Sequence, residues 1–160
     1  RNLLFGTHGL VAGEFGPGTQ AGLVFSLIND PENDGLLEMG EILGLDFNAD
    51  LAVLSACNTA SGGGEEDRGE GFSGLTRSFM YAGTKSLLVT DWSVESSTAR
   101  TLVQTTFSKI KEGHPKAKAL ALAKREVISS NALITFGPNR LISKAHPFFW
   151  APYVLVGEIR

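Results

Sequence analysis

Two side chains of this sequence have the types that nucleophilic catalysis needs, and each follows an apolar run. Cys57, the only cysteine among the 160 residues, comes directly after the run 49–56, and His8 comes shortly after the run 2–6. A thiol becomes a nucleophilic thiolate near neutral pH when a base or a cation lies beside it, and an imidazole can act as both. His8 and Cys57 together could therefore attack a carbonyl carbon.

The same cysteine also fits a purely structural role. Free cysteine is among the residue types most often buried, and the run 49–56 is apolar enough for a strand that is covered on both faces. Because Cys57 has no second cysteine to form an internal disulfide or to resolve an oxidised thiol, a redox role is a remote third alternative. The residues around Cys57 alone leave the nucleophile and the core thiol both open.

Apolar runs and helical spacing alternate along the chain, and they predict the elements that would hold these side chains. The predicted strands cover residues 2–6, 21–28, 49–56, 85–92 and 153–157. The predicted helices cover residues 36–47, 69–83 and 95–112, with a further helix after Pro115, whereas residues 131–147 have an irregular pattern. Alternating strands and helices predict an α/β fold with a mainly parallel sheet flanked by helices.

Unusual residues follow three of the predicted strands. His8 and Gly9 come after the first strand, Cys57 after the central one, and Asp91 with Trp92 after the next. Catalytic groups and ligands gather at the carboxyl ends of the strands in open parallel sheets. If these three strands are neighbours, their ends meet at one edge of the sheet.

The order and spacing of the two reactive residues lead to a known family. His8 lies 49 residues before Cys57, and a histidine about 50 residues upstream of the nucleophile is typical of caspases, although "SACNT" shares only Ala-Cys with their motif. The blocks "THG", "GEILGLDFNADLAVLSACNTASG", "GEGFSGLTRSFMYAGTKSLLVTDWSV" and "HPFFWAPYVLVG" resemble the CHAT domain, a caspase-like module often found with tetratricopeptide repeats. The resemblance extends from about residue 3 to residue 157.

The resemblance implies a caspase–hemoglobinase-like fold and a catalytic dyad, which falls here on His8 and Cys57. It further implies an oxyanion hole made by the backbone N–H groups of Gly9 and Cys57, and no cofactor. The function that follows is a caspase-like cysteine endopeptidase that cleaves protein or peptide substrates in a signalling or defence pathway. The alternative is a non-catalytic CHAT-like scaffold that binds peptides or partner domains, and the intact dyad favours the enzyme.

The matching motifs belong to the C-terminal portion of the family's domain. Residues 1–160 are therefore expected to form one CHAT-like domain that is truncated at its N-terminal end and lacks upstream strands of the sheet. A tetratricopeptide-repeat or other regulatory region is expected elsewhere in the same, longer chain.

Asp91 departs from the family pattern, in which an uncharged residue often precedes the tryptophan. A carboxylate at a strand end beside the nucleophile could select a basic residue at the cleavage position of the substrate. The alternative is a structural role, because aspartate often caps helices and a helix is predicted from about residue 95.

Charge and composition argue against several other classes of function. The formal net charge is −3 and the sequence pI is about 5.6, so no basic surface indicates direct binding of nucleic acid. No apolar run approaches the roughly 20 residues of a membrane span. The three histidines lie far apart and have no metal-ligand spacing, so no metal site is expected. A cytoplasmic location is expected only because it suits the inferred function.

Overall fold

The computed structural model describes residues 1–10, 12–13, 16–26, 33–55, 70–136 and 140–160, and of residues 70–73 and 136 it describes the backbone only. These residues form two compact units. Unit 1 consists of residues 1–93 and 156–158, and unit 2 consists of residues 94–155 and 159–160.

Nine strands and five helices lie within the described residues. The strands are β1 (Asn2–Phe5), β2 (His8–Leu10), β3 (Gly22–Val24), β4 (Leu36–Glu38), β5 (Leu51–Leu54), β6 (Ser86–Thr90), β7 (Leu133–Phe136), β8 (Arg140–Ser143) and β9 (Tyr153–Gly157). The helices are α1 (Met39–Ile42), α2 (Glu70–Tyr81), α3 (Ser96–Lys111), α4 (Lys116–Ser129) and α5 (Pro147–Trp150).

Unit 1 is built on a sheet with the strand order β1-β5-β6-β9. Strand β5 runs parallel to β1, with Phe5 opposite Leu54, and parallel to β6, with Val53 opposite Leu88. Every residue of β5 and β6 is buried, which explains why the two strands are almost continuously apolar in the sequence. The predicted α/β fold with a mainly parallel sheet is confirmed.

Helix α2 packs on one face of this sheet through a core of apolar side chains. Phe79 of α2 is fully buried and lies between two other rings: it stacks on Phe47 at 5.2 Å and meets Phe5 edge-on at 5.3 Å between ring centroids. Leu75, one helical turn earlier, belongs to the same core. The apolar spacing that predicts a helix over residues 69–83 is confirmed, because it marks the face of α2 that is covered.

A second, antiparallel sheet with the order β2-β3-β4 lies in unit 1, and it corrects one prediction. The strand predicted over residues 21–28 is confirmed for Gly22–Val24, which form β3 of this sheet. The helix predicted over residues 36–47 is wrong for most of that range, because Leu36 pairs with Val24 of β3 and only Met39–Ile42 is helical. Strand pairing outweighs a weak local helical preference at this position.

Unit 2 contains the helices α3 and α4, which pack against each other. The covered face of α3 includes Leu102 and Val103, and that of α4 includes Ala119, Ala123 and Val127. The two alanines allow the helices to approach closely, because they add little side-chain volume. Both helices are confirmed where the sequence predicts them.

Residues 131–147, predicted to be irregular, contain a β-hairpin. Strands β7 and β8 pair antiparallel, with Leu133 opposite Ser143 and Ile134 opposite Ile142. Each strand has only four residues, and neither "LITF" nor "RLIS" alternates between apolar and polar side chains, so the sequence carries no clear strand pattern here. The residues between them, 137–139, lie outside the described ranges.

Gly157 is a position where a side chain would destabilise unit 1. Its φ is +95°, and a Cβ atom there would lie 2.4 Å from the carbonyl oxygen of Lys85. We expect Gly157→Ala to lower the free energy of unfolding by more than about 2 kcal/mol, since a backbone clash adds to the conformational strain. Gly113→Ala is the matched control: Gly113 has φ +90° but no heavy atom within 4 Å of the added Cβ. In the control, the free energy of unfolding should fall by only about 1 kcal/mol. Urea unfolding measures this free energy for both variants, and equal decreases would contradict the clash.

Candidate active site

The carboxyl ends of β1, β5 and β6 lie side by side at one edge of the parallel sheet. Phe5 and Leu54, the last residues of β1 and β5, are opposite each other, and the pairing continues when the N–H of Ser55 donates to the carbonyl oxygen of Phe5 at 3.0 Å. Val53 is opposite Leu88 of β6. The predicted adjacency of the three strands is therefore confirmed, and the residues that follow them leave the sheet at the same edge.

His8 is the first residue of β2, a strand that lies outside the predicted ones. Only Gly6 and Thr7 separate it from β1. His8 is opposite Val24 of β3, and the hydroxyl of Thr7 donates a hydrogen bond to the carbonyl oxygen of Val24. The side chain of His8 is exposed. The backbone at His8 is thus held in the antiparallel sheet, three residues after the end of β1, while the imidazole stays accessible.

Gly9 is the second residue of β2 and is opposite Leu23. Leu23 is fully buried and belongs to the core under helix α2. The backbone of Gly9 is therefore anchored to the core through its partner strand.

Cys57 and Asn58 lie outside the described residues, which stop at Ser55 and begin again at Glu70. Ser55 is only two residues before Cys57 in the chain, and it follows Leu54, which is 1% exposed. Burial of the whole of β5 fixes where the chain leaves the sheet on its way to the cysteine. The predicted pairing of Cys57 with His8, and the N–H of Cys57 as an oxyanion donor, remain predictions.

Asp91 and Trp92 follow β6 directly, at the edge predicted for them. The side chain of Asp91 is exposed and has no hydrogen bond or ion pair with any other described residue. The alternative role of Asp91 as the cap of helix α3 is wrong, because Glu95 occupies the N-cap position. Asp91 is therefore a carboxylate at a strand end with no structural partner in the described part of the chain.

Glu95 is a structurally important residue that the sequence analysis misses. Its carboxylate accepts hydrogen bonds from the backbone N–H groups of Ser97, at 2.6 Å, and Thr98, at 2.9 Å, and from both of their hydroxyls. The Nζ of Lys144 lies 3.7 Å from the same carboxylate. Burial alone would raise the pKa of Glu95, but these donors lower it to about 2. The signal in the sequence is an acidic residue followed by Ser-Ser-Thr at a helix start.

A second cluster of charges lies at the opposite end of the same strands. Asp50, just before β5, accepts a hydrogen bond from the Nζ of Lys85 at 2.8 Å and one from the amino group of Arg1 at 2.6 Å. These bonds hold the pKa of Asp50 well below its usual range and raise the pKa of Lys85. About half of each side chain is exposed, so the pair contributes little to stability. This cluster joins the amino ends of the strands, away from Asp91.

Two kinds of feature are absent from the described part of the chain. No three His, Cys, Asp or Glu side chains there come together in a way that could hold a metal ion. None of its helices combines the length and the apolar character that crossing a bilayer demands.

The family model of the CHAT domain matches residues 1–158. The chain belongs to the CHAT domain family. This CHAT domain is 30% identical over 128 residues to tetratricopeptide repeat protein 28 of Mus musculus, and 28% identical over 128 residues to the Homo sapiens protein of the same name. Each match covers 80% of the chain but only 5% of the relative. The family predicted from the sequence motifs is confirmed, and the chain spans about a twentieth of the length of these curated relatives.

The cap formed by Glu95 gives this CHAT domain a pH-dependent contribution to stability. The pKa of Glu95 is about 2 in the folded chain and about 4.3 in an unfolded one. The cap therefore stabilises the fold fully above about pH 4.3, and this contribution is lost as the pH falls toward 2. We expect Glu95→Gln to lower the free energy of unfolding at pH 7 by about 1 kcal/mol and to flatten its dependence on pH between these values.

Glu126→Gln is the matched control, since Glu126 is an exposed glutamate on α4. Urea unfolding at a series of pH values measures all three proteins. If the free energy of unfolding of Glu95→Gln changes with pH as steeply as that of the wild type, the role of the cap is contradicted.

Proposed function

We propose that this CHAT domain is a cysteine endopeptidase in which His8 and Cys57 form the catalytic dyad. The observation that carries the proposal is the direct pairing of β1, β5 and β6, whose carboxyl ends share one edge of the sheet. In open parallel sheets this edge is where catalytic groups gather. Membership of a caspase-like family adds to this support.

The proposed reaction is acyl transfer through a thioester. His8 takes the proton of the Cys57 thiol, the sulfur attacks the scissile carbonyl carbon, and an S–C bond forms. The C–N bond then breaks as His8 donates the proton to the leaving amine. A water molecule, deprotonated by His8, hydrolyses the thioester and restores the thiol. The backbone N–H groups of Gly9 and Cys57 donate to the oxyanion in each step.

Two features of β2 support the roles of His8 and Gly9. The exposed imidazole of His8 is accessible to a substrate, while strand pairing with β3 restrains the backbone that carries it. A general base works best when its position is fixed before the substrate binds. Gly9 has no Cβ, so a substrate carbonyl can approach its N–H closely.

A scaffold function is the second candidate, and the relatives favour it. Both curated relatives are named for tetratricopeptide repeats and not for an activity, and the match covers 5% of their length. In this alternative the domain binds peptides or partner domains with its dyad idle, in a signalling or defence complex in the cytoplasm. A tetratricopeptide-repeat region in the same longer chain is part of both proposals.

Loss of either dyad residue separates the two candidates. In the full-length protein, we expect Cys57→Ala to abolish cleavage of a peptide library and labelling by an electrophilic peptide probe. We expect His8→Ala to lower the rate about 100-fold or more, since it removes the acid and base of both steps. His114→Ala is the control, because His114 lies between α3 and α4. Cleavage that survives Cys57→Ala would refute the dyad, and a wild-type protein that is never labelled would favour the scaffold.

Asp91 is proposed to select a basic residue at the cleavage position of the substrate. Its exposed carboxylate has no partner among the described residues, so its charge is available to a ligand. We expect Asp91→Asn to lower kcat/KM about tenfold or more for peptides cleaved after Arg or Lys, which corresponds to about 1.4 kcal/mol. Cleavage after uncharged residues should change little, because those side chains form no ion pair with the carboxylate of Asp91.

Asp46→Asn is the matched control, since Asp46 is exposed and precedes β5 at its amino end. Steady-state kinetics with matched Arg, Lys, Asp and Gln peptides measures the preference. An unchanged ratio of rates in Asp91→Asn would refute this role while leaving the dyad intact.

A further inference from the structure

A groove in unit 2 runs between strand β8 and helix α5. It is lined by the four residues of β8 and by His146, Phe148 and Phe149, and its volume is about 530 Å³. The candidate active site takes no residue from this groove. A space of this size can hold several side chains of a bound molecule.

The walls of the groove include large apolar surfaces. Phe149 is buried at its base, whereas Leu141 is 66% exposed and Phe148 is 40% exposed. The rings of Phe148 and Phe149 meet edge-on at 5.5 Å between centroids. Exposed apolar side chains that share one concave surface are typical of binding sites.

The open edge of β8 faces this groove. Side chains of a strand alternate between the two faces of a sheet, yet all four residues of β8 line the groove. The groove must therefore follow the edge of the strand and not one of its faces. One edge of strand β8 pairs with β7. Along the other edge, which faces the groove, no described strand pairs with β8. In an antiparallel pair every second residue turns its N–H and C=O outward, and here these residues are Leu141 and Ser143, because the N–H of Lys144 donates to the carbonyl oxygen of Ala132. The carbonyl oxygen of Ser143 already accepts from the N–H of His146 at 3.0 Å, so the edge offers chiefly the N–H and C=O of Leu141.

Two hydrogen-bond donors give the groove a preference for carboxylates. The side chain of Arg140 is exposed and makes no ion pair or hydrogen bond with the described residues. The Nδ1 of His146 accepts a hydrogen bond from the N–H of Phe148 at 3.2 Å, so a neutral ring carries its proton on Nε2. None of the described residues that line the groove is acidic. Arginine binds carboxylates through two parallel hydrogen bonds when the geometry allows.

We propose that the groove binds an extended peptide segment of a partner protein that carries carboxylate side chains among apolar ones. The segment adds a strand to the open edge of β8, its apolar side chains contact Leu141 and Phe148, and a carboxylate pairs with Arg140. Addition of a strand to a free sheet edge is an established mode of peptide recognition, in which backbone bonds give affinity and side-chain contacts give specificity. The site is independent of the proposed peptidase reaction.

Binding of defined synthetic peptides tests this site. The protein is the full-length chain with Cys57→Ala, so that cleavage cannot remove the probe. Three fluorescent ten-residue peptides are compared: alternating Val and Glu, alternating Val and Lys, and the Val–Glu peptide with N-methylated backbone nitrogens. We expect only the first to bind, because the second has the wrong charge and the third cannot pair as a strand.

Two substitutions in the groove, each with a matched control, locate the binding. We expect Arg140→Glu and Leu141→Asp each to weaken binding of the Val–Glu peptide about tenfold or more. Arg125→Glu on α4 and Leu133→Asp on β7 are the controls, since both side chains are exposed and neither lines the groove. Leu133 is 60% exposed, close to the value for Leu141. Circular dichroism and urea unfolding confirm that all four variants fold.

Four outcomes would overturn the proposal. Equal binding of the Lys peptide would refute the preference for carboxylates, and binding of the N-methylated peptide would refute strand addition. Dimers of the peptide-free chain in sedimentation that Leu141→Asp separates would make a second copy the occupant. A Leu133→Asp variant that weakens binding as much as Leu141→Asp would place the contact elsewhere on the hairpin.

Discussion

The pairing of β5 between β1 and β6 is the constraint on which the rest of unit 1 depends. Leu51 to Leu54 are all at most 1% exposed, so water cannot satisfy the backbone groups of this strand. Each N–H and C=O must find a partner in a neighbouring strand, which is possible only if both edges of β5 are covered. The same requirement brings the ends of three strands together, and His8 and Asp91 follow two of these strands within three residues.

The central strands and the long helices are predictable because their signals are local and long. The runs 49–56 and 85–92 are apolar over enough residues to indicate burial on both faces, and α3 shows a clear apolar stripe. Strands β4, β7 and β8 are not predictable in this way. They have three or four residues each, and what makes them strands is a partner elsewhere in the chain and not their own composition.

The candidate site was predictable in part for a similar reason. Order, spacing and motif single out His8 and Cys57 in the sequence, and within the described residues β1 and β5, the strands that precede them in the chain, end at the same edge of the sheet. Asp91 and Glu95 both precede α3 in the sequence, and both are residue types that suit a helix N-terminus. The four donors around Glu95 identify it as the residue that caps the helix.

Strand β9 has a consequence for synthesis of the chain on the ribosome. Residues 94–155 belong to unit 2, yet residues 156–158 return to unit 1. There the N–H of Glu158 donates to the carbonyl oxygen of Lys85 at 2.9 Å, and the hydroxyl of Ser86 donates to that of Glu158 at 2.9 Å. The outer edge of β6 thus stays open while some 70 further residues emerge. Unit 1, although it begins first, is therefore incomplete until most of unit 2 has been made, and an unpaired strand edge is exposed to other nascent chains for that interval.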